Sequence, residues 1–349
     1  MRLGFDATSL TESGKGLATF QREFLRAARG AVRELTVFVP PGAERASLPD
    51  EPGWRYVQVS PRPMLRWEQL GRPRAARRAG LDVVLHLSER ASLFGPPQVV
   101  YVYEHPRHRA SLNRSVGAPL RQRAVDATTL ALFRLAVPRV AELLVASEST
   151  RRDVGRGEVV YPGVAAVFRP GNEQPRYFLH LASSDPRDNS GVVLEAYARL
   201  DEPPGLVVGG NAPDALRAQA AQLGIEVEWA GFRSAEALAD LYRGAIAYVD
   251  PSLYEGFGLQ AAEALACGTP VICSNVTSLP EVVGDAGMLL DPHDVDGFAA
   301  AMRTIGAAPE LRRLAAERGA RFSWEQTVRA TLAACARAAG EPAAAAAAS

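Results

Sequence analysis

The sequence predicts an α/β protein with two doubly wound parallel sheets. A chain of 349 residues is longer than one typical domain. Short β-branched apolar runs alternate with amphipathic helical stretches, and this alternation is typical of a parallel sheet covered by helices on both faces. It occurs twice, on either side of a Pro- and Gly-rich segment at residues 161–175, which we interpret as a linker.

The predicted organisation has a boundary near residue 168. Residues 1–167 form the first domain and residues 168–318 the second. Residues 319–340 form a C-terminal helix that crosses back to the first domain, and the Ala-rich residues 341–349 form a disordered tail. Open α/β sheets bind ligands at the carboxyl ends of their strands, so two such domains facing each other predict a small-molecule cleft.

Each predicted strand is short, β-branched and bounded by turn residues, and each predicted helix has apolar residues three and four apart. In the first domain the strands are 2–6, 35–39, 83–87, 99–103, 143–146 and 159–160, and the helices are 19–28, 64–79 and 120–136. In the second domain the strands are 176–182, 205–208, 226–229, 246–249, 271–273 and 288–290. Its helices are 189–200, 213–223, 235–242, 259–266, 279–283 and 295–305, followed by helical sequence from 308 to 339.

The composition excludes several classes of protein. With 47% hydrophobic residues, and 39 basic against 39 acidic residues, the chain is not a disordered polyelectrolyte. No apolar run approaches the ~18–20 residues of a membrane helix, and the start of the sequence resembles a buried strand more than a signal peptide. Three cysteines without metal-ligand spacing predict no disulfide framework and no metal site. A cytoplasmic enzyme is therefore expected.

The charges are unevenly distributed along the chain. Residues 1–170 contain 26 Lys and Arg against 16 Asp and Glu, and the rest of the chain is acidic. A basic domain suits an anionic membrane surface or an acidic acceptor, although the two domains could equally complement each other. The basic segment 62–78 has a modest apolar face, with burial against the sheet favoured over membrane contact.

The segment from Tyr248 to Ser274 carries the strongest chemical signal. A strand ends near Asp250, a loop contains Glu255-Gly-Phe-Gly258, and a helix begins near Leu259. The glycines allow close backbone approach, and the helix start adds unpaired amide donors with partial positive charge, a combination that suits a diphosphate. Glu263 lies one turn into the helix and could accept hydrogen bonds from vicinal hydroxyls, while Glu255 could bind a second sugar.

These residues, with Gly268-Thr-Pro-Val, Ser278-Leu-Pro-Glu281 and Ala230-Gly-Phe-Arg233, resemble the donor-site signature of retaining glycosyltransferases with the two-Rossmann GT-B fold. The chain is most similar to glycosyltransferase family 4, which is also called group 1. The resemblance covers most of residues 1–338 and is densest at 228–292.

The resemblance implies a role for each position. Glu263 would bind the nucleotide ribose, and Glu255 would contact the donor sugar. The diphosphate and sugar would meet the amides of Gly256, Phe257, Gly258 and Leu259. Phe232 and Arg233 would lie beside the nucleobase. Transfer would need no metal, and the co-substrate would be a UDP- or GDP-linked sugar.

The same family has a glycine-rich loop after its first strand, which corresponds here to Gly14, Lys15 and Gly16. The glycines would let the backbone approach the acceptor or the diphosphate. Lys15, the only lysine of the chain, either places a cation there or is an exposed loop residue.

Two departures from the family pattern bear on activity. Asp188 stands where the family has a diphosphate-binding lysine, and of the usual cationic pair only Arg187 remains nearby. Three explanations are open: Arg187 and Lys15 substitute for that pair, the donor sits differently, or the protein has lost transfer activity. In the first domain Tyr103-Glu104 replaces the family's His-Asp pair, so Glu104 and His105 are alternative candidates for the catalytic position.

The leading hypothesis is retaining transfer of a sugar from a nucleotide-diphosphate donor to a hydroxyl of a glycan, a lipid-linked molecule or a natural product. The alternative is a non-catalytic GT-B scaffold that binds nucleotides or glycans. A nicotinamide dehydrogenase is disfavoured because no Gly-x-Gly-x-x-Gly follows a strand. Nucleic-acid binding lacks a recognition motif. The composition indicates a bacterium with GC-rich DNA, where polysaccharide biosynthesis is one plausible role.

Overall fold

The computed structural model describes residues 1–10, 16–43 and 48–341. The chain divides into two compact units, Met1–Tyr161 together with the residues from Trp324 onward, and Pro162–Ser323. The predicted boundaries lie at 167/168 and 318/319. They differ because Val164 bridges to Ser323, and Phe322 packs against Phe257 within the second unit. The predicted tail from residue 342 onward lies outside the described residues.

Each unit contains one parallel sheet. In the described part of the first unit the strands are β1 (Leu3–Asp6), β2 (Leu35–Val39), β3 (Trp54–Gln58), β4 (Val83–His86), β5 (Gln98–Val102), β6 (Glu142–Val145) and β7 (Glu158–Val159). In the second they are β8 (Tyr177–Ala182), β9 (Gly205–Gly210), β10 (Glu228–Gly231), β11 (Ala245–Asp250), β12 (Val271–Ser274) and β13 (Gly287–Leu290).

The helices connect these strands. Those of the first unit are α1 (Gly16–Ala27), α2 (Met64–Arg66), α3 (Arg72–Arg78), α4 (Pro106–Ser115), α5 (Leu120–Ala136) and α6 (Glu148–Val154). Those of the second are α7 (Gly191–Tyr197), α8 (Asp214–Gln222), α9 (Ala235–Arg243), α10 (Leu259–Ala266), α11 (Leu279–Val283), α12 (Val295–Thr304) and α13 (Glu310–Gly319). Helix α14 (Trp324–Ala338) belongs to the first unit.

Both sheets have the strand order of a doubly wound fold. The first runs β3-β2-β1-β4-β5-β6-β7 and the second runs β10-β9-β8-β11-β12-β13. In each sheet the order reverses between the first and fourth strands of the unit. A doubly wound sheet binds its ligand outside the carboxyl ends of the strands at this reversal. In the second unit the reversal lies between β8 and β11.

The sequence prediction missed three elements of the first unit. Strand β3 is an edge strand whose residues are mostly partly or fully exposed, so it lacks a continuous apolar run. Helix α4 has too few apolar residues for a clear period, and its start is fixed by a His105 cap followed by Pro106. Helix α6, capped by Ser147, was also missed. The predicted helix 64–79 contains a π-helical turn at Trp67–Gly71.

A large apolar cluster packs against the sheet of the second unit. Val193 and Leu194 of α7 and Phe298 of α12 are completely buried in one apolar cluster with Val249 of β11. Burying such side chains contributes roughly 1.5–3 kcal/mol each. This packing fixes β8 and β11 beside each other and so positions the loops that follow them.

Candidate functional site

The loops after β8, β11 and β12 meet at one edge of the second sheet, because these strands are neighbours and run parallel. The loop after β11 is residues 251–258, here called the donor loop, and it leads directly into α10. The loop after β8 contains a short 3₁₀ turn at Pro186–Asp188. The structure therefore brings together most of the predicted donor residues of the second unit.

The donor loop is held at Glu255 by the loop after β12. The Glu255 backbone N–H donates to the Thr277 hydroxyl oxygen at 3.0 Å, and the Ser278 hydroxyl donates to the Glu255 carbonyl at 2.9 Å. The Glu255 residue itself remains partly exposed. Two hydrogen bonds thus fix the backbone from which this carboxylate projects at the carboxyl edge of the sheet.

Thr277 was missed by the sequence analysis and has an unusual backbone conformation. Its φ is +53°, in the left-handed region that β-branched residues rarely adopt. Such strain costs of the order of 1–3 kcal/mol and persists where the surroundings over-determine it. Here the hydrogen bond to Glu255 is one such constraint. No local pattern distinguishes Thr277 from an ordinary loop threonine.

The start of α10 is built for close approach of backbone groups. Gly258 precedes the helix with φ +88°, and no side chain caps the first turn. A Cβ at this position would lie 2.8 Å from a side-chain methyl of Leu279 and would be strained at this φ, so both features favour glycine. Phe257 is completely buried against Phe322, with ring centroids 5.4 Å apart. Phe257 can therefore reach a ligand only through its backbone.

Glu263 points into the protein and not into bulk solvent. It is partly buried on α10, and the Tyr242 hydroxyl at the end of α9 donates to its Oε2 at 3.2 Å. Burial raises the pKa of Glu263 to about 8, and the Tyr242 hydrogen bond opposes that rise. The carboxyl group is therefore largely protonated at neutral pH, and ligand hydroxyls that donate to it would favour ionisation.

Tyr242 was not predicted as a site residue, and its hydroxyl contacts the carboxyl group of Glu263. Replacing Tyr242 by Phe should weaken nucleotide binding about 3- to 10-fold, since it removes one hydrogen bond to a carboxylate. It should also raise the pH at which binding reaches half its maximum, because the Tyr242 hydroxyl lowers the pKa of Glu263. Titration calorimetry between pH 6 and 9 measures both effects.

Tyr177→Phe is the matched control for this prediction. The Tyr177 hydroxyl of β8 donates to the Leu241 carbonyl of α9, the helix that carries Tyr242, at 2.9 Å. It does not interact with Glu263. The variant should leave the pH profile unchanged. Equal changes in both variants would indicate that Tyr242 merely supports α9.

The turn after β8 is more acidic than a diphosphate site would suggest. The Arg187 guanidinium binds its neighbour Asp185 through two nitrogens, at 3.1 and 2.8 Å. The carboxylate of Asp188 accepts from the Ser183 backbone N–H at 2.8 Å and from its hydroxyl at 2.6 Å. Burial raises the pKa of Asp188. A phosphate at this turn would share Arg187 with Asp185.

Phe232 and Arg233 lie further along the same edge. They follow β10, which is the edge strand of the sheet and is separated from β8 by β9. The side chain of Phe232 is 77% exposed, and Ser234 caps the start of α9 immediately afterwards. The two residues therefore lie at the same carboxyl edge of the sheet as the donor loop, two strands away from β8.

In the first unit Glu104 and His105 follow β5. The His105 Nδ1 accepts from the Arg107 backbone N–H and caps α4, and its ring packs on Phe133 with centroids 5.0 Å apart. Burial lowers the pKa of His105 to about 4, so it is neutral at pH 7. Its Nε2 carries the proton, which makes His105 a donor and not a base in this arrangement. Glu104 is partly exposed.

The glycine-rich loop is only partly described. Gly14 and Lys15 lie outside the described residues, and Gly16 is the first residue of α1. Within the ranges the structure does describe, no group of three or more His, Cys, Asp and Glu side chains is arranged to hold a metal ion. No helix in those ranges is both long and apolar enough to cross a bilayer.

Two units, each with a doubly wound parallel sheet, are the features of the GT-B class of glycosyltransferase folds. Solved structures agree on this fold. Sucrose-phosphate synthase from Thermosynechococcus elongatus superposes with a TM-score of 0.74 over 94% of this chain and 96% of that one, at 22% identity. HepE from Anabaena, described as a complex with UDP, gives 0.71 over 95% and 97%, at 17% identity.

The sequence of the second unit matches a known family. Residues 167–322 match the family model "Glycosyl transferases group 1". O-antigen chain mannosyltransferase B of Escherichia coli is 39% identical over 45% of this chain and 44% of its own length. D-inositol 3-phosphate glycosyltransferase of Mycobacterium marinum is 39% identical over 55% and 47%. The chain thus spans less than half the length of these curated relatives.

Proposed function

We propose that the protein is a retaining glycosyltransferase that moves a sugar from a nucleotide-diphosphate donor to a hydroxyl acceptor. The group 1 family match and the curated transferase relatives support sugar transfer. The donor would be UDP- or GDP-linked, and no other cofactor or metal would be needed. The acceptor would be a glycan, a lipid-linked molecule or a natural product, in the bacterial cytoplasm.

One observation carries this proposal. Glu255 and Glu263 lie on either side of the uncapped start of α10, at the carboxyl edge where β11 adjoins β8. The donor sugar would hydrogen-bond to Glu255, and the ribose hydroxyls would donate to Glu263. The diphosphate between them would accept from the amides around Gly256–Leu259, which also favour the negative charge that develops as it leaves.

Asp188 bears on how tightly the diphosphate binds. Asp188→Asn should tighten binding of a nucleoside diphosphate about fivefold, because a like charge a few ångströms away costs about 1 kcal/mol even when well screened. Asn can still accept from the Ser183 donors that hold Asp188. Calorimetry with the nucleoside as control ligand checks the result, since a ligand without phosphates should not respond. Equal tightening of the nucleoside would contradict a direct charge effect.

A second candidate function is a nucleotide- or glycan-binding scaffold without turnover. The observation that favours it is the acidic turn after β8, where Asp185 holds Arg187 and Asp188 replaces a cation. Under this alternative, UDP or GDP binds but no sugar reaches any acceptor.

The test is incubation with UDP-, GDP- and ADP-sugars and a broad acceptor panel, measuring nucleotide release and product anomer. Acceptor-dependent release with retained configuration supports the proposal. An inverted product refutes retention, and nucleotide binding with no release across the panel supports the scaffold. Glu263→Gln measured in parallel shows whether any release comes from this site.

A further inference from the structure

The first unit presents an unusual helical surface on one side of its sheet. Trp67 and Ala76 of the 64–78 helical segment pack with Phe38 and Val84. Phe133 and Ala136 of α5 pack with Val100 and Val102. The strand pairing places the side chains of Val84 and Val100 on the same side of the sheet. Val84 pairs with Gln98, and side chains two residues apart on a strand, such as those of Gln98 and Val100, point the same way.

Helices α1 and α14 cover the opposite side of this sheet. Phe20 of α1 packs against both Tyr101 of β5 and Trp324 of α14. Tyr101 lies between Val100 and Val102 in sequence, so its side chain points the other way. We call the surface formed by segments 62–78 and 106–140 the cationic face.

The exposed charges on the cationic face have one sign. Its exposed arginines are Arg62, Arg66, Arg74, Arg77, Arg78, Arg109, Arg114, Arg121, Arg123, Arg134 and Arg139, and Arg107 is also exposed but pairs with Asp153 of α6. Its two acidic residues are buried: Glu68 pairs with Arg90, and Asp126 accepts hydrogen bonds from Asn113 and Gln122. These two segments therefore present positive charge to solvent with no exposed carboxylate between.

Large apolar side chains are exposed among these arginines. Leu120 is 79% exposed at the start of α5, and Leu135 is 50% exposed near its end. The other members are Met64, Leu65, Leu70, Val116 and Val125. Leu120, Ala124, Ala127, Ala131 and Leu135 recur at helical spacing, and all five are exposed. Arginine beside exposed aliphatic residues is the pattern of a helix that lies in a membrane interface.

We propose that the cationic face docks onto the surface of an anionic lipid bilayer. Acidic headgroups would neutralise the arginines, and the aliphatic side chains would enter the boundary between headgroups and acyl chains. A nucleic acid would satisfy the charge but would leave the aliphatic side chains without a role. This surface lies in the first unit, apart from the donor residues, and its function does not depend on sugar transfer.

Vesicle co-sedimentation of the full chain tests this inference. Vesicles of phosphatidylcholine with about 30 mol % phosphatidylglycerol should bind the protein, and pure phosphatidylcholine should bind it far less. Salt at ~0.5 M should release most of it. Arg121→Glu with Arg123→Glu should weaken binding at least about tenfold, and Leu120→Ser with Leu135→Ser about fivefold.

The matched control reverses two exposed arginines on the opposite side, Arg26→Glu on α1 and Arg329→Glu on α14, whose side chains are 56% and 68% exposed. This control should bind vesicles like the unmodified protein. If the control loses as much vesicle binding as the Arg121→Glu, Arg123→Glu variant, the effect comes from net charge alone and the proposed docking surface is wrong. Absence of vesicle binding at low salt would also overturn it. The proposal would also be wrong if heparin binding changed in parallel with vesicle binding in all variants, because that outcome indicates a general polyanion site.

Discussion

Glu263→Gln should abolish sugar transfer and at the same time stabilise the protein. Under the proposed function, the variant loses the carboxylate that would accept hydrogen bonds from both ribose hydroxyls. We therefore expect donor turnover to fall at least ~100-fold, of the order seen when a charged hydrogen-bond partner is removed. Stability should rise because the unliganded structure buries an ionisable group whose pKa is raised to about 8. A neutral amide in the same place has no ionised form to desolvate.

The stability gain has a defined pH window. A carboxyl group with a raised pKa binds more protons in the folded state than in the unfolded state, so it lowers stability as pH rises. The loss begins near the ordinary value of about 4.5 and is complete above about 8. Wild type and Glu263→Gln should therefore unfold at similar temperatures at pH 4, and the variant should be more stable at pH 9. Thermal unfolding across this range measures the difference.

Glu195→Gln is a close control for this change. Glu195 is also partly buried on a helix of the second unit, and Gln219 donates to it at 3.1 Å. It should keep full activity and the wild-type pH dependence. Unchanged turnover in Glu263→Gln would refute the assigned donor site. A stability difference between wild type and Glu263→Gln that stays constant with pH would show that Glu263 does not ionise in this range.

Glu255→Gln should separate sugar transfer from nucleotide binding. Glu255 is expected to contact the transferred sugar and not the nucleotide, so turnover should fall ~100- to 1000-fold, as for loss of a group that stabilises a transition state. Affinity for the nucleoside diphosphate alone should stay within about twofold. The backbone bonds to Thr277 and Ser278 do not involve the carboxylate, so the donor loop should keep its conformation.

Steady-state kinetics with the donor and calorimetry with UDP or GDP together make this measurement. Glu228→Gln, at the start of β10 on the opposite edge of the sheet, is the exposed-glutamate control and should behave as wild type. If Glu255→Gln lost nucleotide affinity to the same extent as turnover, Glu255 would have to be reassigned to the nucleotide.

The sequence predicted the architecture because the signals for it are local and periodic. Every strand of the second unit was predicted within a few residues, since each is a short apolar run bounded by turns. The same holds for the loop and helix carrying Glu255 and Glu263, whose glycines and spacing already specify a turn followed by a helix start. Family resemblance then supplied the expected chemistry. The solved GT-B structures confirmed the fold, and the group 1 family model matches residues 167–322.

Only the tertiary structure decided which side chains surround those residues. Tyr242 meets Glu263 from another helix, and Thr277 holds Glu255 from another loop, so neither contact leaves a pattern in the adjacent sequence. His105 was proposed from its position after a strand, but the fold makes it a buried helix cap with a lowered pKa. Local periodicity determines strands and helices, whereas burial, charge pairing and protonation depend on residues that are distant in sequence and adjacent in space.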